Sequence, residues 1–146
     1  MRRGLFVVTM LALSATAAIA QNETVIKKRQ DLLKEIGDAV KPVGAMYKGE
    51  ADFDLAKVQN ALAIIQKNAP QLPTLFPDDS KTGGDTEALP KIWENKADFE
   101  PRFKKLVDDA KTAEAAITDE DTFPDAWKTV VGNCSGCHKQ YRKPKG

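Results

Sequence analysis

Histidine occurs once in this chain and cysteine twice, and that scarcity sets the first limits. Two cysteines cannot build the multi-bridge framework of a small secreted scaffold. A single histidine excludes a cluster of imidazole ligands and an imidazole pair for acid–base work. Neither sign of charge dominates, with 22 basic and 21 acidic residues, so no broad field attracts nucleic acid. No stretch beyond the first twenty residues approaches the roughly 20 apolar residues of a membrane span. Alternating strand patterns, internal repeats and low-complexity tracts are also missing.

What is present is concentrated in five residues. Both cysteines and the histidine fall in Cys134-Ser135-Gly136-Cys137-His138. C-x-x-C-H is the attachment signature of a c-type haem. Two thiols at this spacing each form a thioether with one vinyl group of the porphyrin. The following imidazole is placed to ligate the iron. Three other readings stay open on the motif alone. A redox dithiol belongs in a βαβ setting, which the pattern does not offer. A closed zinc site needs four ligands, and this cluster has three. A disulfide across three residues closes a very small loop and stabilises little.

The N-terminus agrees with export. Arg2 and Arg3 precede the apolar stretch Leu5–Leu13, and Ala18-Ile19-Ala20 is a small-x-small cleavage site. A signal over residues 1–20, cleaved after Ala20, leaves a periplasmic domain at 21–146. An uncleaved anchor helix is the other reading. Removing the signal leaves 20 basic and 21 acidic residues. Lys139, Arg142, Lys143 and Lys145 form the clear basic cluster. We read it first as a solvated tail at a helix C-terminus, where cations are favoured, rather than as a docking face.

Four amphipathic segments follow. The first spans Glu23 to Tyr47, with Ile26, Leu33, Ile36, Val40 and Tyr47 on one face. Pro42 should kink or shorten it, and Gly49 should stop it. The second opens at Asp52 or Asp54 as N-cap, carries Leu55, Val58, Leu62, Ile65 and Ala69, and ends at Pro70. Residues 70–90 hold four prolines and Gly83-Gly84, and read as a long loop: a cofactor wall or a plain crossover. The third, Lys91 to Ile117, reads as two pieces, with Asp98 as N-cap and Pro101 in the first turn. The fourth, Thr122 to Arg142, puts Phe123, Trp127, Val130, Cys134, His138 and Tyr141 on one face. Trp127 is placed to pack in the core, on a porphyrin edge, or both. The pattern predicts an all-α, antiparallel four-helix bundle with covalently attached haem.

The position of the motif adds to its chemistry. Only eight residues follow His138. With Cys134 to His138 followed by Lys139-Gln140-Tyr141-Arg142, with Arg29-Gln30-x-x-Leu33 on the first helix, and with Gly83-Gly84-Asp85 before Pro90-Lys91-Ile92-Trp93, the chain resembles the cytochrome c′ family of class II cytochromes c. The resemblance covers essentially everything after residue 20. It implies one haem c per chain, held by Cys134 and Cys137, with His138 as fifth ligand. It implies Arg29 and Gln30 near the propionates, Asp85 at the haem edge and Arg142 on the proximal side. It also implies a possible homodimer through the first two helices.

In that family the position of Leu33 faces the sixth coordination site, where low-spin members carry Met. Leucine cannot bind iron. Met46 lies 13 residues on, about 20 Å along a helix and off the face. Lysine ligation would need a deprotonated amine. The expectation is a five-coordinate iron under an apolar lid, serving electron transfer and reversible binding of NO or CO rather than an enzyme reaction. The alternative is a six-coordinate, purely electron-carrying cytochrome. A peroxidase would want a distal base that the chain lacks. The redox partner is not legible.

Overall fold

The computed structural model describes the backbone of residues 10–144 and the side chains of residues 22–144. The export signal and its cleavage after Ala20 therefore lie outside the described residues, except that the backbone from Met10 onward is helical. Lys145 of the basic cluster also lies outside them.

Four long helices carry the fold: α1 (Met10–Tyr47), α2 (Leu55–Asn68), α4 (Lys96–Ala116) and α5 (Phe123–Tyr141), with α3 (Lys91–Glu94) a single turn before α4. Among the described residues the only extended pairing is an isolated antiparallel bridge, Ala88 with Arg142. α1 packs on α2, α2 on α4 and α4 on α5. α1 and α5 meet at one end, where Tyr47 touches Phe123 edge-on. Nearer the other end they stand apart.

The helix ends follow local chemistry. Gly49 adopts φ +74°, and the Gly49 and Glu50 N–H groups donate to Met46 and Ala45 carbonyls. That pair of bonds closes α1 with a left-handed cap open to glycine. Asp54 caps α2 by accepting from the Lys57 N–H at 3.1 Å. Two expectations are corrected. Pro42 does not shorten α1, which runs on to Tyr47. Its ring is exposed, so the carbonyl it leaves without a donor faces water. Asp98 is not an N-cap: α4 begins earlier, after Asn95, which places Pro101 in the second turn on an exposed face.

The core runs the length of the bundle: Val43 from α1, Val58, Leu62 and Ile65 from α2, Ala110 from α4, Trp127 and Val130 from α5, all fully buried. Trp127 belongs wholly to this core, stacked obliquely on Phe123 with ring centroids 6.0 Å apart. It is not among the residues that line the cavity described below. Trp127→Ala should cost about 3–5 kcal/mol in urea denaturation. A loss below about 1 kcal/mol would show that the core collapses around the gap.

Residues 70–90 are ordered, not a slack crossover. They contain two 3₁₀ pieces, Ala69–Leu75 and Asp78–Ser80. The Trp93 indole N–H donates to the Phe76 and Pro77 carbonyls at 3.0 and 2.9 Å. Gly83 and Gly84 both take positive φ and pass over Ile26, which gives a backbone reason for that pair.

Candidate functional site

A cavity of about 520 Å³ fills the gap between α1 and α5. Such a volume suits a cofactor-sized ligand. α5 lines it with Asn133, Cys134, Cys137, His138 and Tyr141. α1 contributes Arg29, Gln30, Leu33, Lys34, Ile36 and Val40. The 70–90 segment adds Leu72, Phe76 and Asp85 to Ala88, and α4 adds Phe99, Arg102, Phe103 and Leu106. All seven residues singled out from the sequence thus meet in one place: Cys134, Cys137, His138, Arg29, Gln30, Leu33 and Asp85. The helix period brings them there. Cys134 and His138 are four apart on α5, and Arg29 and Leu33 four apart on α1.

The walls are chiefly apolar. Leu33 is 39% exposed, although the cavity beside it is lined by Ile36, Val40, Phe99 and Leu106. An apolar wall that its own chain leaves uncovered is what a buried ligand would cover. Both thiols are half-buried and free. No group of three or more His, Cys, Asp or Glu among the described residues is arranged to hold a bare metal ion, which counts against the zinc reading of the motif.

Arg29 is the least expected feature. It is 2% exposed. Its Nη1 donates to the Leu75 carbonyl (3.2 Å) and Ser80 Oγ (2.9 Å). Its Nη2 donates to the Ser80 carbonyl (3.1 Å) and Thr86 Oγ1 (2.8 Å). The guanidinium lies 4.7 Å from the Phe76 ring centroid and 5.8 Å from that of Trp93. Burial lowers its pKa. Arg29 lines the cavity as expected, yet both terminal nitrogens fasten the 75–86 segment to α1. Gln30 repeats the link, donating to the Asp85 carbonyl at 3.1 Å.

The α5 end is tied down from the other side. Leu89 N–H donates to the Tyr141 carbonyl, and Lys143 N–H to that of Glu87. Lys143 Nζ reaches the Thr86 carbonyl at 2.9 Å. Arg142 is only 34% exposed at its side chain and lies 3.8 Å from Glu87. The basic cluster is therefore not simply a solvated tail: its Arg142 and Lys143 brace the cavity wall. The Arg142 Nε is buried and lacks a hydrogen-bond partner in the structure. A buried N–H of a cation at a cavity wall fits a ligand that brings an acceptor. Cavity size, apolar lining, paired thiols, imidazole and this orphaned donor together fit a haem with carboxylate side chains.

A second polar group, missed in the sequence, joins α4 to the last turn of α5. Tyr141 donates to the Asp98 carboxylate at 2.5 Å. Arg102 Nε donates to the same oxygen at 2.8 Å, and its guanidinium lies 5.4 Å from the Tyr141 ring centroid. The hydrogen bonds from Tyr141 and then Arg102 hold the Asp98 carboxyl below its usual range. A lowered carboxyl pKa adds stability above the unfolded-state value, near 3.9, and loses it as pH falls through the folded-state value. Asp98→Asn should lower stability at pH 7, with the gap to the parent closing below about pH 4. Denaturation at pH 7 and pH 3 checks this, and a gap that widens in acid would contradict it.

The comparisons with known proteins agree with this site. The family model described as Cytochrome C′ matches residues 24–142. The chain belongs to the cytochrome c′ family. A cytochrome c′ of Rhodopseudomonas palustris is 48% identical over 136 residues, covering 93% of this chain and 92% of that one. A cytochrome c-556 of Agrobacterium fabrum is 39% identical, covering 91% and 89%. The solved cytochrome c′ of Rhodopseudomonas palustris superposes with a TM-score of 0.80 at 51% identity, covering 84% of this chain and 98% of that one. The fold is thus the cytochrome c′ four-helix bundle, the cofactor is covalently attached haem c, and the chain is a c-type haem electron carrier.

Proposed function

We propose that this cytochrome c′ family member is exported, passes single electrons, and binds nitric oxide or carbon monoxide reversibly at a five-coordinate iron. The observation that carries this reading is the ligand inventory of the cavity. His138 lines it from α5, Leu33 from α1, and no methionine lines it. Met46 is packed in the core at 9% exposure. Lys34 lines the cavity, but its hydrogen bond to Asp38 and the charge there raise its pKa above 10.5. It keeps its proton at neutral pH and has no lone pair for iron. The six-coordinate alternative thus finds neither a methionine nor a neutral lysine in this cavity.

Cys134 and Cys137 would hold the porphyrin as thioethers, and His138 would be the fifth ligand. When bound, the haem supplies one-electron chemistry and an iron whose behaviour is set by axial ligand and distal polarity. Leu33 offers no hydrogen bond to bound dioxygen and no base for splitting a peroxide. Its flexible side chain can yield to a small neutral molecule. Arg142, whose Nε has no hydrogen bond and only a 3.8 Å contact with Glu87, and Arg29, Gln30 and Asp85 would frame the carboxylate edge. A similar solved structure supports the ligand class. It is the nitric oxide complex of a leucine-to-alanine mutant of cytochrome c prime from Alcaligenes xylosoxidans, with 25% identity, a TM-score of 0.71, and 85% and 97% of the two chains covered.

Adding nitric oxide to the reduced protein should change the haem spectrum, and sparging with inert gas should restore it. An unchanged spectrum would overturn the ligand-binding half of the proposal. For export, the purified protein should begin at Gln21 by N-terminal sequencing. The family match starting at residue 24 fits a leader before it, and among the described residues no helix is long and apolar enough to cross a membrane. A protein that retains Met1 would contradict cleavage.

A further inference from the structure

Charge is segregated along this chain. From Ala126 to the C-terminus there are five basic residues and no acidic one, whereas residues 21–125 hold 15 basic and 21 acidic residues. The positive stretch is the same one that carries the attachment motif. Lys128 and Lys139 are eleven residues apart, three helical turns, and so share one face of α5. Both are exposed, and neither is held in an ion pair among the described residues. Lys104 and Lys105 on α4 differ, since Asp108 and Asp109 neutralise them. Between Lys128 and Lys139 the face is exposed, with open space over Gly132 and Gly136. Cys134 and Cys137 lie half-buried on the inner side of the same helix, away from this face. Arg102 and Arg142 at the cavity rim are paired with Asp98 and Glu87 and add no free charge to this face.

We propose that the outer face of α5, from Lys128 to Lys139, is the docking surface for a one-electron carrier protein with an acidic surface. The proposal rests on the chain's role as an electron carrier and adds where the partner binds and what charge it bears. Electron exchange needs the partner near the porphyrin, and a partner on this face is separated from the attachment cysteines by the width of one helix, about 10 Å. Unpaired lysines beside it would steer an anionic partner there. A second copy of the chain fits poorly, because a two-fold contact would set like lysines against each other. A lipid surface also fits poorly, because the face offers no apolar side chain for insertion.

The test uses the purified holoprotein in its reduced state, mixed with hexacyanoferrate(III) or with the cationic tris(bipyridine)cobalt(III). In each reaction one electron leaves the protein, whose iron goes from Fe(II) to Fe(III), and reduces the probe metal by one unit. At low salt, Lys139→Glu should slow the hexacyanoferrate reaction by about fivefold or more and speed the cobalt reaction, and both effects should fade as salt rises. Lys48→Glu makes the same charge change near the Phe123 end of α5 and should stay within about twofold of the parent. Equal effects from the two variants would mean that only net charge matters, and would overturn the docking face. Sedimentation of the parent, but not Lys139→Glu, with phosphatidylglycerol vesicles would put a lipid surface there instead and overturn it too. Exchange with neither probe would sink the electron-carrier premise itself, whereas exchange with both regardless of charge would sink only the docking face.

Discussion

Leu33→Met should close the iron. Carbon monoxide binding by the reduced variant is expected to weaken about a hundredfold or more, equivalent to roughly 3 kcal/mol. Methionine matches leucine closely in volume and is unbranched, so it reaches further without overpacking. Leu33 lines the cavity and is 39% exposed, so there is room for the change. A thioether from the α1 wall would compete with any diatomic for the sixth position. The oxidised variant should also turn low-spin. Carbon monoxide titration of parent and variant decides it: equal affinities and equal spectra would remove Leu33 from the distal side.

Arg29→Leu should destabilise the protein by about 3 kcal/mol. Four hydrogen bonds converge from this side chain on Leu75, Ser80 and Thr86. Removing it strands two buried carbonyls and the Ser80 hydroxyl without a donor, leaves Thr86 Oγ1 with the Ala88 N–H alone, and removes the cation from the faces of Phe76 and Trp93. The lost cost of burying a cation offsets part of this. Arg29→Lys should rescue little, because one ammonium cannot span both ends of the loop segment as a planar guanidinium does. Urea denaturation gives the loss, and amide exchange should show lost protection confined first to residues 75–86. A variant within about 0.5 kcal/mol of the parent would mean that the segment is held by Trp93 and the α5 strap alone.

These two residues show where a sequence speaks and where it stops. The Cys134–His138 motif was legible because a fixed attachment chemistry leaves a local signature, whereas helical spacing put Leu33 only on the apolar face of α1 and the family resemblance supplied its role. The Asp54 cap, the Gly49 stop and the break between α3 and α4 were legible too. Arg29 had a pattern but not a fate. Its partners lie 46 to 57 residues away and are neutral oxygens, which leave no charge pattern to read. The Tyr141–Asp98 bond spans 43 residues, so Asp98 looked like a helix cap when its carboxylate was committed elsewhere. Pro42 looked like a break because its tolerance depends on which face meets water. The 70–90 segment stayed undecided between a cofactor wall and a plain crossover because its order comes from Arg29, Trp93 and Lys143, each outside it.

The central claim is an open iron beneath Leu33 in a covalently bound haem. The most direct test is the optical spectrum of the purified protein, oxidised, reduced, and reduced under carbon monoxide. A high-spin spectrum that shifts on adding carbon monoxide is the predicted result. A sharp low-spin spectrum indifferent to carbon monoxide would reveal a sixth ligand and contradict the claim.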